Sequence, residues 1–350
     1  MARKVTLKEI AREVGLSPTS VSLVLNNRPN KVSAANRKRI VETARRMRYV
    51  PNQIARSLVT RHSRTLGLVV PNIESRFFSA LAKRLEIRCR KEGYALLIMN
   101  SDDRAENDRE LVGLLTNRGV DGIFLVPSNE TEPDRELVED LSLLPVPYVM
   151  VDRFIEGVSC DQVRFDNRMG GYLATRRLLD AGHERIACIV NTASITGRER
   201  LRGYTAALAE RGIALDPGYV FRSAYYVPEA YAAALDVLAT DATAVFASSD
   251  NIALGLLKRL YERGLRVPRD MSVVSYDNIA ADAIFEPSLT SIEQDVDKLA
   301  DHAVRLMAAR IEDGDDPGAS PIQRVLEPRL VEQDSVAPPA QGGPYAVRNA

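Results

Sequence analysis

The spacing of apolar residues predicts short helices at the start of the chain. Leu7, Ile10 and Val14 recur at helical spacing. Thr6, which precedes them, is a residue type that caps helix N-termini, and Gly15 interrupts the pattern where a turn is needed. This segment therefore predicts one short helix followed by a tight turn.

Two further helices are predicted after that turn. Ser17-Pro18 begins the second, because serine caps and proline is tolerated at the first helical position, and this helix runs to Asn26. Ser33 caps the third, whose apolar face is Ile40, Val41, Ala44 and Met47. Short helix, glycine turn and short helix together indicate a helix-turn-helix.

From Thr65 onward, short apolar runs alternate with amphipathic segments. Buried strands are predicted near 66–70, 95–99, 122–126, 148–151, 186–190, 243–247 and 272–276. Helices are predicted near 77–92, 104–118, 133–143, 169–182, 197–212, 228–239 and 250–263. This alternation is typical of two doubly wound α/β lobes. A surface loop is predicted over 312–321 and a flexible tail over 337–350.

The charge is divided unevenly along the chain. Its 350 residues hold 47 Lys+Arg and 47 Asp+Glu, a formal net charge of zero. Residues 1–64 carry 15 basic and 3 acidic residues, 15 − 3 = +12, so the remainder carries 32 − 44 = −12. A basic head on an acidic body indicates two different partners, and nucleic acid is the simplest partner for the head.

Several classes of protein fit the sequence poorly. No apolar run reaches the roughly 18 residues of a membrane span, and three dispersed cysteines give no disulfide framework. The three histidines are scattered, and neither metal-ligand spacing nor a nucleophile elbow or phosphate-binding glycine loop is found. We therefore expect a cytoplasmic protein that is not an enzyme and needs no cofactor or metal.

In a helix-turn-helix, the N-terminal part of the second helix enters the major groove of DNA. This places Pro18, Thr19, Ser20, Ser22 and Leu23 at or near the bases. Thr19 can hydrogen-bond a base edge or a phosphate, and the Leu23 side chain can contact a thymine methyl group.

The head resembles the LacI/GalR (lactose-repressor) family of transcriptional regulators. The resemblance rests on Val-Thr-Leu-Lys-Glu-Ile-Ala from residue 5, on Val21-Ser22 and Asn26, and on Tyr-x-Pro-Asn-x-x-Ala-Arg-x-Leu over 49–58. It implies a hinge helix at 51–64, in which Leu58 wedges into a minor-groove step and Ala55 allows close approach. The full set of expected DNA-binding residues is Thr6, Ser17, Pro18, Thr19, Ser20, Ser22, Leu23, Asn26, Asn52, Ala55 and Leu58.

The body continues this resemblance to about residue 336. Its markers include Val151-Asp-Arg, Asp166-Asn, Ser248-Ser-Asp and Ser275-Tyr-Asp-Asn. The resemblance implies a helix-turn-helix domain at 1–50 and a two-lobed periplasmic-binding-protein-like (type I) body at 65–336. Lobe 1 is expected at 65–164 and 294–322, and lobe 2 at 165–293 and 323–336. It also implies an effector cleft formed by Phe77, Phe78, Asp152, Arg153, Arg200, Tyr225, Asp250 and Asp277.

The chemistry of these residues suits a sugar or polyol. Asp250 and Asp277 can accept hydroxyl hydrogens, Arg200 donates in a fork, and Phe78 or Tyr225 can cover an apolar ring face. Arg153 and Arg200 together would also suit an anionic sugar acid or phosphate. Pro18 and Leu23 offer few hydrogen bonds to bases, which leaves the operator sequence open.

The sequence therefore predicts a homodimeric regulator, usually a repressor in this family, which binds operator DNA and a small-molecule effector. One alternative keeps DNA binding but places a protein co-regulator on the body. Another is a solute-binding receptor, against which the basic head argues.

Overall fold

The structure of the protein is a computed structural model that describes residues 5–26, 29–50, 62–129, 134–279, 286–313 and 320–340. The chain divides into two compact units between Ser63 and Arg64.

The first unit is the three-helix head. Its helices are α1 (Leu7–Val14), α2 (Pro18–Leu25) and α3 (Ala34–Arg46). The three predicted N-caps are confirmed, because the side chains of Thr6, Ser17 and Ser33 each accept a backbone N–H three residues later. The helices enclose a small core formed by Ile10, Ala11, Val14, Val21, Val24, Ile40 and Ala44.

Lobe 1 of the second unit is a parallel sheet covered by helices. Its elements are β1 (Thr65–Val70), α4 (Arg76–Lys91), β2 (Ala95–Asn100), α5 (Ala105–Asn117), β3 (Ile123–Leu125), α6 (Arg135–Ser142), β4 (Tyr148–Val151) and β5 (Asp161–Phe165), joined from later in the chain by α11 (Val296–Asp313) and β11 (Gln323–Leu326). The six strands lie in the order β11-β5-β4-β3-β1-β2. Apolar side chains of β1, β3 and β4 form the core on both faces.

Lobe 2 repeats this plan. Its elements are α7 (Asn167–Asp180), β6 (Ile186–Val190), α8 (Ile195–Glu210), a 3₁₀ turn (Pro217–Tyr219), β7 (Val220–Arg222), α9 (Val227–Leu238), β8 (Ala244–Ala247), α10 (Asp250–Glu262), β9 (Ser272–Asp277), β10 (Thr290–Glu293) and β12 (Arg329–Val331). The strand order is β12-β10-β9-β8-β6-β7, and β12 is antiparallel to β10. The predicted α/β two-lobed class is confirmed.

The predicted boundary between the lobes near residue 322 is wrong. Strand β11 pairs with β5 from Gln323 to Leu326, so this segment belongs to lobe 1, and the last passage between lobes falls before β12. The sequence pattern also missed α11, β5, β7, β10, β11 and β12. Most of these strands are short or lie near sheet edges, where side chains are partly exposed and the apolar pattern is weak.

The predicted start of the flexible tail at Ala337 is also wrong. The Ala337 carbonyl accepts hydrogen bonds from His183 Nε2 (2.8 Å) and Ser272 Oγ (3.0 Å). The Ala337 amide in turn donates to Ser272 Oγ at 3.0 Å. These contacts fasten the end of the described chain to lobe 2, and residues 341–350 lie outside the described residues.

Helices α7 and α8 touch at their backbones because glycine occupies the contact. A Cβ atom at Gly203 would overlap the carbonyl oxygen of Arg168, and one at Gly171 would overlap the carbonyl oxygen of Arg200. Only hydrogen side chains permit this approach. The contact thereby fixes the position of the helix that carries Arg200.

We expect Gly203→Ala to destabilise the body by about 1–3 kcal/mol, because the new methyl group meets backbone that cannot move aside. Gly113→Ala is the matched control. Gly113 is also helical, but nothing lies within 4 Å of its added Cβ, so this change should stabilise by about 0.4–1 kcal/mol. Urea unfolding measures both; equal effects of the two substitutions would contradict the close contact.

Candidate functional site

A cavity of about 460 Å³ lies between the two lobes of the body. All eight residues expected in the effector cleft line it: Phe77, Phe78, Asp152, Arg153, Arg200, Tyr225, Asp250 and Asp277. Four come from lobe 1 and four from lobe 2. A molecule in this cavity would contact both lobes.

The fold places these side chains at the carboxyl ends of parallel strands, where open α/β sheets bind ligands. Asp152 follows β4, Asp250 begins α10 just after β8, and Asp277 ends β9. Asp152 and Asp277 have positive φ values of 67° and 92°. Non-glycine residues rarely adopt this conformation, and such strain collects at binding sites.

Arg200 forms the floor of the cavity and is only 4% exposed. Its Nε donates to Asn167 Oδ1 (2.8 Å), its Nη1 to the Ser248 carbonyl (2.5 Å) and its Nη2 to Gln294 Oε1 (3.3 Å). The guanidinium also stacks on the ring of Tyr276, 3.7 Å from its centroid. These contacts compensate the burial of the charge and hold the guanidinium in one orientation.

Asp250 and Asp277 lie beside this guanidinium on the lobe 2 side. Asp277 Oδ1 is 3.9 Å from Arg200 Nη2. Asp250 accepts hydrogen bonds from the Ser275 hydroxyl (2.8 Å) and the Ile279 amide (3.0 Å). Burial and then the charge of Asp277 raise the pKa of Asp250, and burial raises that of Asp277.

Asp152 and Arg153 face them from lobe 1. Arg153 Nη1 donates to Asp103 Oδ1 (2.9 Å). Burial raises the pKa of Asp152 to about 6, although the charges of Arg153 and Arg200 oppose this shift. Among the described residues, Asp152 Oδ1, which is buried, has no partner within hydrogen-bond distance, although the nearby Gln294 side chain acts to lower the pKa of the carboxyl. Such an atom is a ready acceptor for a ligand hydroxyl.

Aromatic rings form the apolar walls of the cavity. Phe77 and Phe78 pack edge to face with centroids 5.3 Å apart, and both belong to the core of lobe 1 as well as to the cavity. Tyr225 stands opposite, with its hydroxyl 3.3 Å from Thr196 Oγ1. The cavity therefore combines flat apolar faces with fixed polar groups, as small-molecule sites do.

Sequence reasoning missed six residues that also line the cavity. They are Ser75, Arg76, Thr196, Ser249, Asn251 and Gln294. Ser249 and Asn251 flank Asp250, and Thr196 lies one helical turn before Arg200. Their positions beside residues already expected in the cleft could have identified these three from the sequence. Gln294 follows β10, a strand that the pattern had not predicted.

In the head, the expected DNA-contacting residues differ in accessibility. Ser17, Pro18 and Thr19 are exposed at the start of α2, whereas Ser20, Ser22, Leu23 and Asn26 are half-buried. Thr6 and Ser17 cap their helices, and the Asn26 side-chain amide donates to the Ser22 carbonyl at 2.8 Å. Asn52, Ala55 and Leu58 lie outside the described residues.

Two other kinds of site are absent from the described part of the chain. It contains no group of three or more His, Cys, Asp or Glu side chains placed to hold a metal ion. None of its helices is long and apolar enough to cross a membrane.

Fold and cavity define a regulator class in which a helix-turn-helix head is joined to a two-lobed, ligand-binding body. Two family models match these parts: "Bacterial regulatory proteins, lacI family" over residues 6–52 and "Periplasmic binding protein-like domain" over 175–336. The HTH-type transcriptional repressor PurR of Vibrio cholerae is 32% identical over 336 residues, which cover 95% of this chain and 98% of the relative. The chain belongs to the LacI family of transcriptional repressors, not to an enzyme family.

Solved structures agree with this assignment. A complex of the transcriptional regulator CelR with cellobiose matches with a TM-score of 0.70 and 30% identity, over 95% of this chain and all of the other. A LacI-family regulator from Enterococcus faecium with bound ribose matches with a TM-score of 0.69 and 30% identity, over 78% of this chain and 99% of the other. The Lac repressor dimer on operator DNA shares the fold, with a TM-score of 0.84 at 23% identity over 96% and 100%.

We expect Asp152→Asn to raise the melting temperature at pH 7.5, because it removes a buried charge that the folded state disfavours. A raised folded pKa means that protonation stabilises the fold, and this stability is lost as pH rises through about 6. The gain should therefore shrink as the pH falls from 7.5 to 4.5. Asparagine also tolerates the positive φ at this position.

Asp236→Asn, on the exposed side of α9, is the control and should change the melting temperature little at either pH. A loss of stability in Asp152→Asn at pH 7.5, or a gain that does not depend on pH, would show that the ionised Asp152 carboxylate is not disfavoured.

Proposed function

We propose that this protein represses transcription by binding a pseudo-palindromic operator as a homodimer, and that a neutral sugar or sugar derivative in the cleft controls this binding. It would act in the cytoplasm, where its DNA lies. The observation that carries the proposal is the cavity that brings carboxylates, guanidinium groups and aromatic rings together from both lobes. Because a bound molecule contacts both lobes, it favours one angle between them over another, and this difference can reach the head.

A neutral polyhydroxylated ligand fits the charge of the cleft. Asp152, Asp250 and Asp277 are balanced by Arg76, Arg153 and Arg200 in the same lining. The carboxylates accept hydroxyl hydrogens, while Phe78 and Tyr225 can cover ring faces. The relatives with bound cellobiose and ribose are consistent with this ligand class.

A thermal-shift series tests the ligand class. Ribose, glucose, cellobiose, a sugar acid, a sugar phosphate and two nucleobases are compared at equal concentration. A ligand that binds only the folded state increases the free energy of unfolding, by about 2.7 kcal/mol at a ligand concentration of about a hundred times Kd. The melting temperature rises as a result. A rise with a neutral sugar supports the proposal, whereas a rise with anionic sugars or nucleobases alone would replace its ligand class.

We expect Arg200→Ala to abolish the response of operator binding to the effector while operator affinity without effector persists. The substitution removes the donor fork at the floor of the cleft and leaves Asp277 without its neighbouring cation. Gel-shift titration on DNA selected by the wild-type protein measures both quantities. Asp250→Asn, which keeps the size of the side chain, serves as a second variant if Arg200→Ala melts too low. An intact response in both would exclude these residues from the site.

We expect Leu58→Ala to weaken specific DNA binding much more than non-specific binding, because the proposed wedge acts only at the bent operator step. Affinity for the selected operator and for random duplex is measured over a salt series, in which wild-type affinity should fall steeply. Equal losses on both DNAs would contradict the wedge role, and affinity insensitive to salt would contradict phosphate contact by the head.

The alternative that remains open is a protein co-regulator docked on the body. It predicts that no small molecule changes the melting temperature and that operator affinity changes only when the partner protein is added.

A further inference from the structure

A second cavity, of about 530 Å³, lies beside the cleft in the body. Lobe 1 supplies most of its lining, and Ile195 and Arg198 of α8 in lobe 2 complete it. Arg153 lines both cavities and stands between them. The function proposed above does not require this second cavity, but a role for the cavity in binding part of the same effector would rest on that function.

Asp108 is the most unusual residue of the second cavity, because it is a carboxylate with 0% exposure. Its Oδ2 accepts the Ser128 amide at 2.7 Å. Its Oδ1 is buried and has no partner within hydrogen-bond distance among the described residues, although the nearby Ser101 and Ser128 hydroxyls act to lower the pKa of the carboxyl. Burial raises the pKa of this carboxyl to about 6. A buried carboxylate oxygen without a hydrogen-bond donor lowers the stability of the folded state, and a ligand that supplies a donor removes this penalty.

Asn129 presents a second acceptor in the same cavity. Its Nδ2 donates to Asp103 Oδ2 (2.8 Å) and its backbone amide donates to Asp103 Oδ1 (2.9 Å). Because the amide nitrogen must face the Asp103 carboxylate, the orientation of the side chain is fixed. The buried Asn129 Oδ1 is left without a partner among the described residues.

Arg153 adds a donor to these two acceptors. Its Nη1 is engaged by Asp103 and by the Pro127 carbonyl. Its Nε, also buried, donates to nothing in the described part of the chain, and the whole side chain is 4% exposed. Among the described residues, three polar atoms of side chains that line this cavity thus lack partners, two of them acceptors and one a donor.

The charges of this lining select the kind of ligand. A metal ion or an ammonium group would meet the positive charge of Arg153, and an anion would meet Asp108. Hydroxyl groups satisfy both kinds of atom, since each can donate to a carboxylate or amide oxygen and accept from a guanidinium. Leu137, Phe154 and Ile155 provide apolar surface for the carbon skeleton.

We propose that the second cavity binds a neutral polyhydroxylated group through Asp108, Asn129 and Arg153. The group has two sources with the same chemistry: the second ring of a saccharide whose first ring lies in the cleft, or a separate small polyol. In either case it contacts both lobes, because Ile195 and Arg198 reach the cavity from lobe 2. An ion pair already spans the lobes at this point, between Arg198 Nη2 and Glu156 Oε2 at 3.7 Å.

Crystals of the full chain soaked in glycerol test the cavity directly, since glycerol is a small probe with adjacent hydroxyl groups. We expect a glycerol molecule with hydroxyls within hydrogen-bonding distance of Asp108 Oδ1 and Asn129 Oδ1. We expect none in Asp108→Leu, which removes the acceptor oxygens at nearly the same side-chain size, or in Ile155→Phe, which fills the apolar side. Ordered water alone in the wild-type cavity, or glycerol bound alike in all three proteins, would overturn the proposal.

Titration calorimetry with glucose and cellobiose then distinguishes the two sources. If the second ring occupies the cavity, cellobiose binds at least about tenfold more tightly than glucose, and Asp108→Leu, which removes the acceptor oxygens, removes this gain. Asp236→Asn, the exposed control, keeps it. If glycerol occupies the cavity but cellobiose shows no gain, the source is a separate polyol. If glycerol occupies the cavity and neither sugar binds, the proposed sugar effector is in doubt while the second cavity stands.

Discussion

The buried guanidinium of Arg200 requires several separate parts of the body to be correctly placed at once. A charge that is 4% exposed is tolerated only when its donors are satisfied. Its partners come from the start of α7, the end of β8 and the residue after β10. The close backbone contact of α7 with α8 at Gly171 and Gly203 fixes the position of α8, the helix that carries the guanidinium. Misplacing any of these elements would leave a buried cation without acceptors, so the same interaction stabilises lobe 2 and shapes the floor of the cleft.

Structural features were predicted correctly from the sequence where the residues that determine them lie close together in the chain. The three helices of the head carry their own caps, so short segments were enough to predict them. The cavity residues were expected from the resemblance to the LacI/GalR family; of these, Asp152, Asp250 and Asp277 lie at or just after strands that the apolar pattern had predicted. Strand β11 is different, because its Gln323–Leu326 segment is mostly exposed and takes its place only by pairing with β5. Nothing within the segment tells which lobe it joins. Asp108 is missed for a related reason, since it lies among charged residues of α5, and its carboxyl is contacted by the Ser128 amide from the loop after β3, a distant part of the sequence.

The two cavities show two ways in which a fold presents polar atoms. In the main cleft, Asp250 is held by hydrogen bonds within the protein and part of its capacity remains for a ligand. In the second cavity, Asp108, Asn129 and Arg153 each keep one atom unpaired among the described residues. Arg153 connects the two, because it lines both cavities while its Nη1 is fixed by Asp103. The same guanidinium therefore forms part of the wall of both cavities, in a position that Asp103 fixes.

The late position of β11 and β12 bears on how the protein is made. The head is a contiguous segment that ends before residue 64, whereas each lobe needs a strand from the last thirty residues of the described chain. During synthesis the head can fold while most of the chain is still absent, because domains fold as units from the N-terminus. The sheets of the body close only when translation is almost complete. A premature stop codon between residues 64 and 323 would thus yield a head without a finished body, and with it a DNA-binding segment that no effector controls.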